Sequence, residues 1–311
     1  MSLSLESRLR ALGPDLDRLE RLTVIKGVLV NKAPLRIGTG RSELGGPTEL
    51  PIEKLPDGTP YIPGSSLKGA LRSLAEKLAR GSNRKVCNIF ADLTPCELAA
   101  AVARKALDAI RLSSPEFLRR EFADILSRAG VIGGELKELA DEIRSIVSTV
   151  RGPEDLEDAI GKLINVLNGL PCPVCRIFGN KELASHVRIM NAYPKAGQQK
   201  PEPQFRTRVA LDRFRRAARS GALFDYEFVP PGYKWDFEMR VLNLDLLKPC
   251  DDVSKLLRHV LDYVAEFGLE VGGMKSVGHG LMKFEKLEAE VYRIKDFSIK
   301  PVGKVNLLEG C

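Results

Sequence analysis

Four of the six cysteines have the spacing of metal ligands. Cys172 and Cys175 form a C-x-x-C motif in which the flanking prolines would hold both thiolates forward. Cys87 and Cys96 lie at the other end of the segment that precedes this motif. If that segment folds back on itself like a hairpin, its two ends meet and bring the four cysteines together. The sequence therefore predicts a structural zinc ion on four thiolates, with His186 as a reserve ligand. A redox C-x-x-C pair and buried free thiols are the alternatives.

A second motif combines groups that bind phosphate. Residues 63–69 (Pro-Gly-Ser-Ser-Leu-Lys-Gly) open a stretch with apolar residues at helical spacing, and a serine would provide the N-cap oxygen. The free N–H groups and the positive dipole end of a helix N-terminus attract phosphate. Ser65, Ser66 and Lys68 add two hydroxyls and a cation there. An ordinary capped helix is the alternative.

Two further segments point to nucleic acid. Residues 205–219 carry six arginines against one acid, interleaved with Phe205 and Phe214. A solvated charged surface usually mixes both signs, whereas arginines with aromatics grip RNA phosphates and stack on bases. The glycine-rich loop 272–280 allows close backbone approach and carries a lysine, although it lacks the P-loop spacing.

Composition agrees with a polyanionic partner. The chain has 311 residues and a net charge of +7, enough length for one large domain or two. Residues 97–170 contain 10 basic and 13 acidic residues, so the rest of the chain carries +10. The sequence shows no apolar run of membrane-spanning length and no signal-peptide core at its start. These observations predict a cytoplasmic protein without a membrane partner.

The predicted elements follow the order strand, helix, two strands, helix, strand, which is the ferredoxin-like (RRM-like) order. We therefore predict an α+β fold whose core comprises residues 1–86 and 176–311. A long loop or lid, residues 38–62, follows the first strand. Residues 87–175 read as an all-helical insertion that begins at a capping box on Thr94, and we expect the zinc site to close its base. Strands are predicted at residues 22–30, 185–192, 222–229, 234–242 and from 281, and helices at 65–80 and 253–267.

In several of these motifs the chain resembles the backbone subunit of the type III-A (Csm) CRISPR effector complex, within the RAMP superfamily. The resemblance implies a protein that binds CRISPR RNA by its backbone and positions single-stranded target RNA. It implies copies of the chain stacked in a filament and other type III subunits as partners. The matching segments are residues 36–40, 62–69, 177–180, 212–213 with 221–224, and the glycine loop to residue 280.

The resemblance also implies site residues. Arg36 takes the place of a basic residue, often histidine, that precedes the Ile-Gly after the first strand. Residues 205–222 would form a thumb that reaches the neighbouring subunit and distorts the RNA. We expect RNA contacts from Arg36, Ser65, Ser66, Lys68, Arg72, Arg206, Arg208, Arg213, Arg215, Lys275, Ser276 and His279.

Cleavage of target RNA in this family needs an aspartate in the loop after the first strand and a divalent ion, magnesium or manganese. Here Thr48 or Glu49 takes that position, depending on one gap. Glu49 can still hold magnesium through a side chain one methylene longer, whereas Thr48 would end the chemistry. We therefore expect weak cleavage or none.

Two other functions compete with the backbone subunit. A stand-alone RAMP endoribonuclease that processes precursor CRISPR RNA would use a general-base histidine near the start of the chain, and no histidine precedes His186. A zinc-stabilised interaction protein with no RNA role is the third interpretation, and the one-signed arginine segment argues against it.

Overall fold

A computed structural model describes residues 4–13, 15–40, 49–88, 90–132, 134–212, 214 and 216–308, without the side chains of residues 131, 210, 211 and 217–222. Within these residues no helix is both long and apolar enough to cross a membrane. The helices are α1 (Leu5–Ala11), α2 (Gly64–Gly81), α3 (Pro95–Leu112), α4 (Pro115–Ile132), α5 (Gly134–Ser148), α6 (Leu156–Val166), α7 (Pro173–Phe178) and α8 (Asp252–Phe267). The strands are β1 (Arg21–Asn31), β2 (Val187–Ile189), β3 (Gln204–Asp212), β4 (Ala217–Phe228), β5 (Lys234–Leu242), β6 (Leu269–Glu270), β7 (Leu281–Lys295) and β8 (Ser298–Asn306).

The chain forms two compact units. The helical unit comprises Met1–Arg21, Glu76–Val187 and Leu242–Leu256. The sheet unit comprises Leu22–Ala75, Arg188–Val241 and Leu257–Cys311.

The helical unit is built on amphipathic helices whose apolar faces share one core. Helix α3 begins at the predicted capping box, where the Thr94 hydroxyl accepts the N–H of Glu97 and the Glu97 carboxylate accepts the N–H of Thr94. Its apolar residues meet those of α4, α5 and α6 around fully buried side chains such as Leu98, Phe122 and Ile160. Helices α3 to α6 all lie within residues 87–175, the range predicted as a helical insertion.

The sheet unit contains the ferredoxin-like core. Strands β2, β5, β1, β7 and β6 neighbour one another in that order, and β8 extends the sheet from β7. Strand β5 alternates as predicted, with Trp235, Phe237, Met239 and Val241 buried. Helices α2 and α8 complete the order strand, helix, two strands, helix, strand. The predicted α+β, ferredoxin-like fold is confirmed.

Three elements differ from their sequence prediction. The second strand covers only Val187–Ile189, much less than residues 185–192. The arginine segment, predicted only as a charged thumb, forms an antiparallel hairpin of β3 with β4. The final strand continues to Lys295 and turns back into β8. Strand pairing decided all three, with the distant β5 for the second strand and with the next strand along the chain for the two hairpins, since strand propensity depends strongly on context.

Candidate nucleic-acid interface and metal centre

The four predicted cysteine ligands lie together in the helical unit. The Sγ atoms of Cys87, Cys96, Cys172 and Cys175 are all within 4.8 Å of one another, and three of these residues are buried. A tetrahedral Zn²⁺ with Zn–S bonds of about 2.3 Å needs S···S distances of about 3.8 Å, which this cluster accommodates with small adjustments. Within the described part of the chain, no other group of three or more cysteine, histidine or acidic residues has ligand spacing. The cluster can hold a metal such as zinc.

Helix dipoles and backbone N–H groups at the cluster stabilise thiolates. Cys96 lies in the first turn of α3, and Cys172 is the N-cap of α7, so both sulfurs meet the positive end of a helix dipole. The backbone N–H of Cys172 donates to Cys96 Sγ at 3.1 Å, and that of Cys175 to Cys172 Sγ at 3.5 Å. Such N–H···S bonds are the supporting interactions a thiolate metal site needs.

The cysteine thiols of the cluster differ in their pKa values because their sulfurs lie so close together. The pKa of Cys172 lies well below its ordinary value because its sulfur accepts hydrogen bonds from the Cys175, Cys87 and Cys96 thiols. The pKa of Cys96 is raised, chiefly because its thiol proton is held by the Cys172 sulfur. Since only thiolates bind metal, an ion at this cluster would displace the thiol protons.

His186, the reserve ligand, is part of a different arrangement. Its Nε2 lies 3.2 Å from Asp15 Oδ2 and its Nδ1 2.8 Å from the Leu242 carbonyl oxygen. Arg176 donates to the same Asp15 oxygen at 2.9 Å. His186 is buried and does not join the group of sulfurs. This polar triad ties α7, which carries two of the cysteines, to the rest of the helical unit.

In the sheet unit, Arg36 lies against the glycine loop. The N–H of Gly273 donates to the Arg36 carbonyl at 2.9 Å, and a side chain at Gly272 would clash with that oxygen. Gly272 also has φ of +82°, so two requirements favour glycine here. Burial lowers the pKa of Arg36, but a guanidinium remains charged. The loop thus holds a half-buried cation in the segment that follows β1.

The β3–β4 hairpin adds two more cations beside aromatic rings. Arg208 lies over the Tyr226 ring at 5.1 Å and Arg206 over the Phe228 ring at 5.7 Å. The register pairs Arg206 with Tyr226 directly, so the two side chains share one face of the hairpin. Tyr226 is fully buried, and its hydroxyl lies 3.3 Å from His279 Nε2.

The surroundings of His279 disfavour the charged form of its ring. Its pKa is lowered by burial first and then by the positive charges of Arg208, Arg206 and Arg36. Its Nδ1 lies 3.4 Å from the Val277 carbonyl oxygen, which can only accept, and in the tautomer with the proton on Nδ1 the Nε2 atom accepts the hydroxyl proton of Tyr226. His279 therefore connects the glycine loop to β4, and three arginines lie around this contact. We call Arg36, Arg206, Arg208, Tyr226 and His279 the arginine–tyrosine cluster.

The remaining predicted residues of the glycine loop and of α2 are more open. Lys275 and Ser276 are exposed in a short 3-10 turn. In α2, Ser65 is exposed and Ser66 half-buried, while burial and the charge of Arg72 lower the pKa of Lys68. The predicted serine N-cap was wrong. Because the helix already begins at Gly64, the Asn191 side chain accepts the Gly64 N–H at 2.9 Å instead.

Glu49 is exposed and lies next to Leu50, which bridges Tyr226 in a parallel pairing. The N–H of Glu227 donates to the Leu50 carbonyl at 3.1 Å, and the Glu227 carboxylate accepts the N–H of Ile52 at 3.1 Å. Glu227 is buried and also pairs with Lys54. These contacts hold residues 50–54, in the middle of the predicted lid, along β4 and beside the arginine–tyrosine cluster.

Three predicted residues, Thr48, Arg213 and Arg215, lie outside the described residues. Two residues that sequence reasoning missed are Tyr226 and Phe228. The alternation of Arg206 and Arg208 with Phe205 and Thr207 was the available signal, because it indicates a strand with one cationic face. Counting the charges of the segment, without noting that the arginines alternate with other residues, does not reveal this strand.

Comparison with known proteins agrees with this geometry. A family model described as the RAMP superfamily matches residues 29–283, which include the end of β1, the whole of α2, the β3–β4 hairpin and the glycine loop. A search of curated proteins finds no match. RAMP proteins are CRISPR-associated and bind RNA, so the match indicates an RNA-binding protein of this class.

Proposed function

Because the chain belongs to the RAMP superfamily, we propose that it is a backbone subunit of a type III CRISPR effector complex, of the III-A (Csm) kind. In this role it binds CRISPR RNA through the RNA backbone and positions single-stranded target RNA. Copies of the chain stack into a filament along the guide, together with other type III subunits.

The observation that carries the proposal is the arginine–tyrosine cluster. Arg36 and, from β3, Arg206 and Arg208 lie close enough to His279 for their charges to lower its pKa, and Arg208 lies over the ring of the buried Tyr226. Ring contacts and close packing pre-orient their guanidinium groups, so little side-chain freedom is lost on binding phosphate. Such a site grips backbone phosphates without reading bases, which is what a subunit bound to guides of any sequence requires.

The exposed groups of the loop and of α2 extend this surface in the proposal. Lys275 and Ser276 offer a cation and a hydroxyl beside the cluster's histidine. Ser65, Ser66, Lys68 and Arg72 would hold a further phosphate near the start of α2. The hairpin would serve as the thumb toward the neighbouring copy.

Binding to RNA of increasing length tests the filament. On single-stranded RNA of 10, 20, 30 and 40 nucleotides, roughly, we expect the number of bound copies to rise with length, since each copy covers a fixed stretch of backbone. Native mass spectrometry counts the copies. One copy on every RNA, or a single cut product without any assembly, would contradict the backbone role.

The rival processing endoribonuclease finds little support in the site. His279 and Tyr226 are the histidine and phenol within the cluster, and both are buried. A general base must reach the proton it removes, and neither group is presented to a ligand. A single cut in precursor RNA that is lost in His279→Ala would favour the rival.

We propose a structural Zn²⁺ for the cysteine cluster. The donor set of four cysteines, two of them receiving N–H bonds, is that of closed structural zinc sites. The ion would join the start of α3 to the start of α7 and so close the base of the helical insertion. It has no part in RNA cleavage.

A further prediction concerns Glu49 and the cleavage of target RNA. With guide and matched target RNA, we expect slow cleavage that requires magnesium or manganese. Glu49→Ala should abolish it, and Glu49→Asp should raise it several-fold by restoring the shorter side chain. Gel analysis of labelled target measures the rates.

The position of the catalytic residue decides between two outcomes. If Thr48 is the family equivalent, no cleavage occurs in any buffer and Thr48→Asp creates it. Robust cleavage that survives Glu49→Ala would assign the chemistry to another acid, such as Glu43 or Asp57. Asp57 accepts the N–H and the hydroxyl of Thr59, as a turn residue does.

A further inference from the structure

The β7–β8 ribbon ends in a tip that the proposed function does not use. Strand β7 pairs with β8 from Glu288↔Asn306 to Lys295↔Ser298, and residues 296 and 297 form the connection. The family match ends at residue 283, so the paired part of the ribbon lies beyond it. Nearer the sheet the ribbon packs through buried residues such as Val291.

The two faces of the tip differ in chemistry. Ile294 pairs directly with Ile299 on one face, and Ile299 is 66% exposed. Arg293 pairs with Lys300 on the other face, where Lys295 follows. Directly paired residues share a face and successive residues alternate, so the three cations lie side by side.

These cations lack neutralising partners. Within the described part of the chain, none of Arg293, Lys295 and Lys300 makes an ion pair, whereas Lys304 further down the ribbon pairs with Glu288 and Glu290. Adjacent like charges repel, and a strand pair normally avoids them. An arrangement that keeps them together fits an anionic ligand.

Phe297 stands at the turn in an unfavourable backbone conformation. Asp296 and Phe297 have φ of +50° and +56°, the pattern of a type I′ turn, which favours asparagine or glycine at these positions. The Phe297 side chain is fully exposed, so no packing within the sheet unit compensates for the strain. Strain retained without a folding benefit points to a use in binding.

We infer that the ribbon tip is a second contact site for single-stranded RNA, in which the Phe297 ring stacks on a base and Arg293, Lys295 and Lys300 bind the flanking phosphates. An exposed aromatic ring among unpaired cations is the combination that holds single strands without reading sequence. The inference rests on the proposed RNA-binding function and adds a site that the arginine–tyrosine cluster does not include.

A protein partner fits the tip less well. An interface core is depleted of charge, particularly lysine, whereas two lysines and an arginine line this tip. The apolar face offers few large side chains. Docking onto protein is therefore an outcome of the test.

The key variant is Phe297→Gly. Glycine adopts positive φ without strain, so this change removes the ring while stabilising the turn. We expect an unchanged or higher melting temperature together with about tenfold weaker binding to a single-stranded RNA long enough to reach both sites. Phe297→Tyr should bind like wild type, and Phe297→Leu should bind like Phe297→Gly, because leucine is apolar but cannot stack.

A charge-reversed variant and a crosslink complete the experiment. Arg293→Glu with Lys300→Glu should weaken binding at least as much, whereas Lys286→Glu, elsewhere on β7, should change it little. RNA containing 4-thiouridine should crosslink to Phe297.

Wild-type affinity in Phe297→Gly would overturn the inference while leaving the proposed function intact, and wild-type affinity in Phe297→Leu alone would indicate apolar docking. Failure of the wild type to bind RNA would instead refute the proposed function.

Discussion

Replacing Cys172 and Cys175 together by serine will release about one zinc ion per chain and lower the melting temperature by about 10 °C or more. Serine is a weak zinc ligand, and its hydroxyls would remain in a buried cluster without the ion. The start of α7 would then lose its link to the start of α3. Metal analysis and differential scanning calorimetry measure the two effects.

The chain offers a matched control for this experiment. Cys250 is exposed and lies outside the cluster, where its thiol donates to the Lys248 carbonyl. Cys250→Ser should retain the metal and the wild-type melting temperature. The double variant should keep most of its RNA affinity, since the arginine–tyrosine cluster belongs to the sheet unit. A native protein purified without metal, and indifferent to a chelator, would refute the zinc site.

Changing Arg36, Arg206 and Arg208 together to alanine should weaken RNA binding by about 100-fold at moderate salt. Each arginine neutralises phosphate, so the slope of log K against log salt should fall by about 2 for a single strand. Fluorescence anisotropy with RNA of several sequences at several salt concentrations measures both quantities. The loss should be similar for every sequence, because backbone contacts dominate.

Two controls separate this loss from a general effect of charge. Arg128, Lys137 and Arg151 are exposed cations of the helical unit, and their triple alanine variant removes the same charge. It should leave affinity within about threefold of wild type. Arg206→Lys with Arg208→Lys keeps the charge but loses the planar contact with the rings, and should give an intermediate loss. Equal losses of RNA affinity in the two triple alanine variants would show that the arginine–tyrosine cluster is not part of the RNA interface.

Local sequence signals were sufficient for the elements that depend on their own residues. The capping box at Thr94 predicts the start of α3, and the alternation from Trp235 to Val241 predicts β5. Helix periodicity and strand alternation are short-range patterns, so the α+β fold could be predicted from them. The C-x-x-C spacing likewise indicates a metal site, since the geometry of that motif is local.

Long-range pairing decided the rest. The sequence could not state that Asn191 would cap α2, because 127 positions separate it from Gly64. The register of β3 with β4 was equally inaccessible, and only this register lays Arg206 and Arg208 over aromatic rings. A strand's side chains alternate, so a shift of one residue would have turned both arginines to the opposite face.

Residue types alone establish the chemistry available to this protein: four thiols, a one-signed group of arginines and a glycine loop. Packing in three dimensions determines which of these groups meet. It brings Cys87 to Cys175 across the helical insertion, pairs His186 with Asp15 instead, and gathers three arginines around His279. The physical reason is that a residue's type sets what its side chain can bind, whereas the packing of distant segments sets the distances at which charges and ligands act together.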